Sequence, residues 1–251
     1  MLTSTLTELP DHAALLAAGG NHPITRWLTS PDVLEQAWSQ GDAVGWTVSK
    51  WGGGRTLWGL GSAADAGGLV TAVLGRGDAS IGRVIVPVGA LAHVDTPLGA
   101  GDDWDWFWTA AAPDPRRPGE DAVRVLGAAD LGDLEELLRL SSPRSSAMPD
   151  DASVEAWYGV RDASGTLVAC AARDETVSGV PHLRAIATHP SFRGRGLGAD
   201  VTAAVTRAAL AGGAEAVTLG MYADNDVARR LYERLGYQVG QAFATRAVAG
   251  R

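Results

Sequence analysis

The second half of the chain alternates between short apolar segments and segments whose apolar residues recur every three or four positions. Leu131, Leu134 and Leu138 follow this spacing and predict a helix over 130–140. The same reasoning predicts helices over 198–211 and 226–235, and strands over 121–126, 157–161, 166–173, 182–188, 216–222 and, as one or two strands, 237–248. This mixture predicts an α/β or α+β fold.

The first half has a weaker pattern. It predicts a short helix over 33–38 and strands over 44–48, 55–60 and 81–86, whereas the apolar run 69–74 fits either a helix or a strand. Trp104, Trp106 and Trp108 alternate with other residues, so they lie on one face of a strand. We interpret this stripe as core or as a domain interface, because a stacking platform for a base or sugar would need a positive groove nearby.

Three prolines in six residues separate the two halves, at Pro113, Pro115 and Pro118. Because proline lacks a backbone donor and restricts φ, neither a helix nor a central strand is expected there. We therefore predict a linker over 112–120, between an N-terminal α/β domain, 1–111, and a C-terminal domain, 121–251. The sequence shows no clear internal repeat.

Composition limits the possible partners. The chain has 251 residues, a formal net charge of −8 and one cysteine, Cys170. An acidic chain lacks the basic surface that sequence-independent nucleic-acid binding requires, and one cysteine provides neither an intrachain disulfide nor a CxxC-type zinc site. No apolar run approaches the roughly 18 residues of a membrane span. We expect a cytoplasmic protein without a metal. The chain contains a single lysine, Lys50, which is typical of a protein from a GC-rich bacterial genome.

The strongest local signal is the sequence Arg193-Gly-Arg-Gly-Leu-Gly198, which follows a predicted strand and opens a predicted helix. Glycines let backbone N–H groups converge on an anion, and the helix dipole adds positive charge, so a phosphate is the expected ligand. One interpretation is a dinucleotide fingerprint, Gly194-x-Gly196-x-x-Ala199, with Glu215 or Asp224 as the ribose-binding acid. Another is a structural turn without a ligand.

A second motif favours a third interpretation. Asn225, Ala228, Leu231 and Tyr232, followed by Gly236-Tyr237, have the form N-x-x-A-x-x-L-Y-x-x-x-G-F/Y. Together with the preceding Arg193-x-x-Gly196-x-Gly198, this motif resembles the GNAT superfamily of acyl-CoA N-acyltransferases over residues 121–248. The resemblance implies a mixed, mostly antiparallel sheet flanked by helices. It also implies that the first half, which has elements of suitable size but no such loop, is a degenerate GNAT-like copy.

The resemblance implies which residues hold the co-substrate acetyl-CoA. Loop amides would bind its pyrophosphate, and the preceding strand would pair with its pantetheine arm, which Asn225 would also contact. The residues concerned are Arg193, Gly194, Arg195, Gly196, Leu197, Gly198 and Ala199 in the loop, Ile186, Ala187 and Thr188 in the strand, and Asn225.

The implied chemistry is direct attack of an amine on the thioester. Tyr232 matches a position near the CoA sulfur and is the candidate general acid, and an N–H group near Ile186 is the candidate donor to the oxyanion. His182 opens the same strand and is the first candidate base, because imidazole titrates near neutrality. Asp174 and Glu175, just before that strand, are the next candidates.

The expected function is therefore an acetyl-CoA-dependent N-acetyltransferase that acts on a primary amine of a small molecule or peptide. We expect a monomer or homodimer without nucleic-acid or membrane partners. Two alternatives stay open: a non-catalytic acyl-CoA sensor or interaction module on the same fold, and a nicotinamide-dependent oxidoreductase.

Overall fold

The computed structural model describes residues 5–49, 54–175 and 178–249, without the side chain of Glu175. The helices are α1 His12–Ala18, α2 Pro23–Trp27, α3 Ala63–Leu74, α4 Leu131–Ser141, α5 Leu197–Ala211 and α6 Asp226–Arg234. The strands are β1 Thr7–Leu9, β2 Gln36–Gln40, β3 Ala43–Val48, β4 Arg55–Leu60, β5 Ile81–Pro87, β6 Asp103–Thr109, β7 Arg124–Leu126, β8 Val154–Arg161, β9 Leu167–Glu175, β10 Pro181–Thr188, β11 Val217–Tyr222 and β12 Gln238–Ala247. In these ranges no helix combines the length and apolar character needed to span a bilayer.

Most predicted elements of the second half are confirmed within a few residues. The strand predicted over 121–126 is only partly right, since a 3₁₀ turn, Pro118–Ala122, precedes β7. The helix predicted over 33–38 is wrong: Gln36–Gln40 forms β2 and pairs with β3. The ambiguous run 69–74 belongs to α3.

The chain forms two compact units. The first takes in the chain up to Trp106, together with Tyr222–Asp224 and the chain from Gly240 onward; the second takes in Phe107–Met221 and Asn225–Val239. Most of β12 therefore belongs to the first unit. Residues 112–120, predicted as a linker, lie inside the second unit.

In the second unit the strands follow the order β11-β10-β9-β8-β7. All neighbouring pairs are antiparallel except β10 and β11, which are parallel. The helix α5 packs on one face, where Val201 and Leu183 are fully buried, and α4 packs on a second cluster with Leu134 and Cys170. Apolar residues thus cover both faces of β9 and β10, as expected for central strands.

In the first unit the order is β1-β2-β3-β4-β5-β12, and only β4 and β5 are parallel. The helix α3 approaches so closely that a Cβ on Gly45 would stand 2.3 Å from Leu69. Tryptophans fill part of the core: Trp46 stacks on Trp58 with ring centroids 5.6 Å apart, and Trp106 is fully buried. Of the tryptophan stripe, Trp106 has no exposed surface, whereas Trp104 and Trp108 are partly buried.

The two units repeat the same order of elements. A short strand and one or two helices precede three antiparallel strands, then a helix, then a strand parallel to the third: β1, α1, α2, β2, β3, β4, α3, β5 in the first unit and β7, α4, β8, β9, β10, α5, β11 in the second. This repeat was not visible in the sequence, because pairing and order recur while the residue pattern does not.

Candidate active site

The parallel strands β10 and β11 separate after two residue pairs. His182 lies opposite Thr218, Leu183 lies opposite Leu219, and the register ends there. Beyond Leu183, β10 has no Cα partner in β11, and both strands lie wholly within the described ranges. An extended part of a ligand can pair with such an open strand edge through backbone hydrogen bonds.

A bulge bends β10 where it leaves β11. Its register with β9 shifts between Arg184 and Ala187, and Ala185 has a φ of 51°. This left-handed conformation is unfavourable for a residue with a side chain, and such residues cluster at functional sites. Ile186, the candidate donor to the oxyanion, follows directly and lies in the part of β10 that the shift removes from the regular ladder.

The glycine loop presents a row of unpaired donors. Gly194 and Gly196 have φ values of 76° and 83°, which glycine adopts without steric cost. The six consecutive backbone N–H groups from Gly194 to Ala199 have no hydrogen-bond acceptor among the described residues. The next one, of Asp200, donates to the Gly196 carbonyl over 2.9 Å and starts the α5 ladder. Six donors thus stand free at the positive end of the helix dipole.

Packing holds this loop in place. Val201 and Val205 of α5 are buried in the core of the second unit. A Cβ on Gly198 would stand 3.2 Å from Thr188 Oγ1 and 3.7 Å from Leu231. The end of β10, the start of α5 and the helix α6 therefore meet at Gly198, which brings together the three segments that the sequence motifs indicated.

The two loop arginines are exposed and bind backbone carbonyls. Arg193 donates to the carbonyl of Thr188 over 3.4 Å and to that of Ser141 over 3.2 Å. Arg195 donates to the Ser191 carbonyl over 3.4 Å. These long contacts shape the loop, and they leave both positive charges near it for an anion.

The helix α6 places Tyr232 in the interior of the second unit, with 5% of its surface exposed. Its ring centroid lies 6.0 Å from that of Phe107 and 6.1 Å from that of Tyr237. Burial raises the pKa of the Tyr232 hydroxyl above its ordinary value, so the group is protonated at neutral pH. Within the described chain this hydroxyl makes no hydrogen bond to another residue, whereas that of Tyr237 bonds to Thr206 Oγ1 over 2.6 Å.

Asn225 caps α6. Its Oδ1 accepts a hydrogen bond from the Ala228 N–H over 3.0 Å. This contact satisfies one of the free donors at the start of the helix. Asn225 therefore has a structural role that does not depend on a ligand.

Comparison with family models matches residues 131–237 to the acetyltransferase (GNAT) family. These residues are a GNAT acetyltransferase domain. The match runs from α4 to the end of the α6 motif, and it includes the open edge of β10, the glycine loop and Tyr232. Residues 131–237 therefore carry the fold of a family of acyltransferases.

Solved structures extend the likeness to nearly the whole chain. A GNAT-family putative acetyltransferase from Novosphingobium aromaticivorans is 22% identical, with a TM-score of 0.54 over 92% of this chain and 95% of that one. A GCN5-related N-acetyltransferase from Sphaerobacter thermophilus is 15% identical, with a TM-score of 0.57 over 96% and 95%. A tandem GNAT protein from the clavulanic acid biosynthesis pathway is 13% identical, with a TM-score of 0.51 over 98% and 100%. At these identities the likeness concerns the fold alone. Among curated proteins, none matches the chain.

In the GNAT domain His182 lies at the paired end of β10 and is buried. Its Nδ1 is 2.8 Å from Thr218 Oγ1, and the Thr218 hydroxyl is 3.4 Å from the Pro181 carbonyl. If the hydroxyl donates to that carbonyl, Nδ1 carries the imidazole proton and Nε2 is the basic nitrogen. His182 and Arg184 point to the same face of β10, since residues two apart do so.

Asp174, the next candidate base, is paired with Arg184. Its Oδ2 lies 2.6 Å from Nε of Arg184, and both side chains are at least nine-tenths buried. Arg184 also binds Asp151 over 2.6 Å and the Ser146 carbonyl over 2.8 Å, so it fastens the loop after α4 to β10. The Arg184 guanidinium thus occupies one oxygen of the Asp174 carboxylate. The side chain of Glu175, the remaining candidate, lies outside the described residues.

We expect Arg184→Ala to lower the free energy of unfolding by about 3–5 kcal/mol, because it removes the guanidinium from a buried ion pair with the Asp174 carboxylate. Urea unfolding of the two proteins measures the difference. The matched control is Arg173→Ala on the neighbouring strand, whose partner Glu155 is 44% exposed; its cost should stay below about 1 kcal/mol. Equal losses in both variants would show that burial of the Arg184 pair has no special effect.

The single cysteine lies in the same strand pair, away from solvent. Cys170 is fully buried, and burial raises the pKa of its thiol to about 12. The thiolate is the nucleophilic form, so this side chain is inert near neutrality. Burial thus disfavours Cys170 as a nucleophile.

The corresponding place in the first unit is built differently. The register of β4 with β5 extends over four residue pairs, from Arg55 to Trp58. The helix α3 starts directly after Gly61, with Ser62 as its capping residue, and the Ser62 N–H donates to the Asp42 carboxylate over 3.0 Å. Carboxylates at a helix start oppose a phosphate there. Within its described residues this unit thus repeats the element order of the second unit, but its parallel strand pair has a longer register and its helix starts beside a carboxylate.

Sequence reasoning missed two residues near the site. Arg184 gave no signal, because a lone arginine in a predicted strand is usually exposed. Arg117 lay in the proline-rich segment predicted as a linker, yet its side chain reaches α5. Both roles depend on contacts far apart in sequence.

Proposed function

We propose that the chain is an acetyl-CoA-dependent N-acetyltransferase that moves an acetyl group from CoA to a primary amine by direct attack. The observation that carries this proposal is the row of six free backbone donors at the start of α5, next to the open edge of β10. Residues 193–199 would hold the pyrophosphate, and Ile186, Ala187 and Thr188 would pair with the pantetheine arm.

In this proposal the chain's residues move two protons and stabilise one charge. His182 accepts the amine proton, through water where needed, so that the neutral nitrogen attacks the thioester carbonyl carbon. The N–H group near Ile186 donates to the carbonyl oxygen as it becomes negative. The carbonyl re-forms as the carbon–sulfur bond breaks, its electron pair stays on sulfur, and the Tyr232 hydroxyl donates a proton to that sulfur. The excess proton on nitrogen passes to water, and the Tyr232 phenolate regains a proton from water. The inert Cys170 supports direct attack over a covalent route.

We further propose that the first unit is a degenerate GNAT-like half without its own acyl-CoA site. The shared element order, the longer β4–β5 register and the carboxylates near α3 support this assignment. The acidic net charge favours a cationic amine, of a small molecule or peptide, as acceptor.

Titration with acetyl-CoA, CoA and NADH tests the central proposal. We expect acetyl-CoA and CoA to raise the melting temperature of the purified protein and NADH to leave it unchanged, because a ligand that binds only the folded state stabilises it. Stabilisation by NADH alone would favour the oxidoreductase alternative. Binding of CoA without thiol release for any amine in a subsequent screen would favour the acyl-CoA sensor.

A further inference from the structure

The segment around Arg117 is fastened along α5 in the second unit. Arg117 Nε donates to Asp200 Oδ1 over 2.7 Å, and Arg207 Nε donates to Glu120 Oε2 over 2.8 Å. Arg207 also donates to the carbonyl of Pro113. The proline-rich segment therefore crosses α5 at its first turn and at its middle, and two ion pairs hold it there.

The anchoring charges of this segment persist at neutral pH. Burial acts to raise the pKa of the Glu120 carboxyl, but hydrogen bonds from the Arg207 side chain and the Arg117 backbone N–H outweigh burial and lower that pKa. Asp200 is buried too, and a Cβ on Gly119 would stand 2.1 Å from its Oδ2. Gly119 thus lets the backbone approach the carboxylate that orients Arg117.

The Arg117 guanidinium stands at the glycine loop. A Cβ on Gly196 would stand 2.8 Å from Arg117 Nη2, so this nitrogen lies beside the middle of the row of free donors. Asp200 occupies Nε, and neither Nη group has an acceptor among the described residues. The side chain is 34% exposed, so these N–H groups are accessible to a ligand.

We propose that Arg117 is a further ligand of the CoA pyrophosphate, held by Asp200 and aimed through its Nη groups at the oxygens above Gly196. This inference rests on the proposed function, because it requires acyl-CoA in the glycine loop. The guanidinium offers the forked donors that suit phosphate oxygens, and it offsets the negative charge that Asp200 places at the start of α5. Arg193 and Arg195, by contrast, donate to backbone carbonyls.

Calorimetric titration of the full chain with CoA and with 3′-dephospho-CoA tests this assignment. We expect Arg117→Ala to weaken binding of both ligands about 10- to 100-fold, the effect of one charge-assisted hydrogen bond. Arg117→Lys should recover part of the loss, since it keeps the charge. The matched control is Arg116→Ala, whose side chain pairs with Asp121 instead of α5; its affinity should stay within about twofold of wild type.

The double variant Arg117→Ala/Asp200→Asn separates ligand binding from folding, because it removes both charges and leaves none buried alone. We expect it to melt near the wild-type temperature and to bind CoA as weakly as Arg117→Ala. If Arg117→Ala and the double variant both bound CoA as tightly as the wild type, this inference would be overturned and the proposed function would stand. A loss seen with CoA but not with 3′-dephospho-CoA would move the contact to the 3′-phosphate and overturn the pyrophosphate assignment. A wild type that binds neither ligand would overturn the proposed function as well.

Discussion

Gly196→Val is expected to abolish detectable binding of CoA and acetyl-CoA while the protein stays folded. Gly196 has a φ of 83°, which a β-branched residue cannot adopt without strain, and its Cβ would stand 2.8 Å from Arg117 Nη2. The side chain would also fill the space above the free N–H groups. Losing two or more charge-assisted hydrogen bonds should weaken binding by more than about 100-fold. Calorimetry measures the affinity, and thermal melting shows that the fold is retained.

The control for backbone strain lies at the other end of the same helix. Gly213 has a φ of 96° and open space around its Cα, so Gly213→Val imposes a similar strain of about 1–3 kcal/mol far from the loop. We expect a comparable fall in melting temperature and unchanged CoA affinity. If Gly196→Val bound CoA like wild type, residues 193–199 would be a structural turn, and the proposed acyl-CoA site would be wrong.

The local parts of the site were predictable because their signals lie within short segments. The glycine loop, the start of α5 and the capped helix α6 depend on backbone conformation and spacing that neighbouring residues determine. Gly194 and Gly196 are in the left-handed region that the loop interpretation requires. The apolar stripe with Val201 and Val205 likewise predicted the buried face of α5.

Other features depend on contacts between distant segments. Residues 33–38 read as a helix from local signals, but pairing with β3, in which Trp38 lies opposite Gly45, makes Gln36–Gln40 a strand. The bulge at Ala185 and the short β10–β11 register belong to strand pairing, which a single strand's pattern does not encode. Arg117 was predicted to lie in a linker, because prolines exclude a regular helix or strand. Prolines do not prevent such a segment from packing against a helix, and here it packs on α5.

The choice of the candidate general base also depends on contacts between distant segments. The sequence ranks His182 before Asp174 because imidazole titrates near neutrality, but it does not show which groups either side chain contacts. The structure gives Asp174 a buried partner, Arg184, whereas the Nδ1 atom of His182 lies against a hydroxyl. That difference in partners, which spacing does not reveal, makes His182 the better candidate.

Tyr232→Phe is expected to lower kcat about 100-fold and to change the affinity for acetyl-CoA by less than about threefold, the pattern of a lost general acid. The hydroxyl has no hydrogen-bond partner in the described chain, so its removal leaves no group unsatisfied and the fold should be unaffected. The measurement is thiol release from acetyl-CoA with the best amine of the screen, together with calorimetry for acetyl-CoA.

Tyr237→Phe provides the matched control, because that hydroxyl is buried and already bonded to Thr206. We expect it to lose about 1 kcal/mol of stability and to keep its kcat. The pH profile adds a second check: burial raises the Tyr232 pKa above its ordinary value of about 10, so this acid keeps its proton and produces no alkaline decline below about pH 10. An unchanged kcat in Tyr232→Phe would make Tyr232 a core residue, and protonation of the thiolate would then have to come from water.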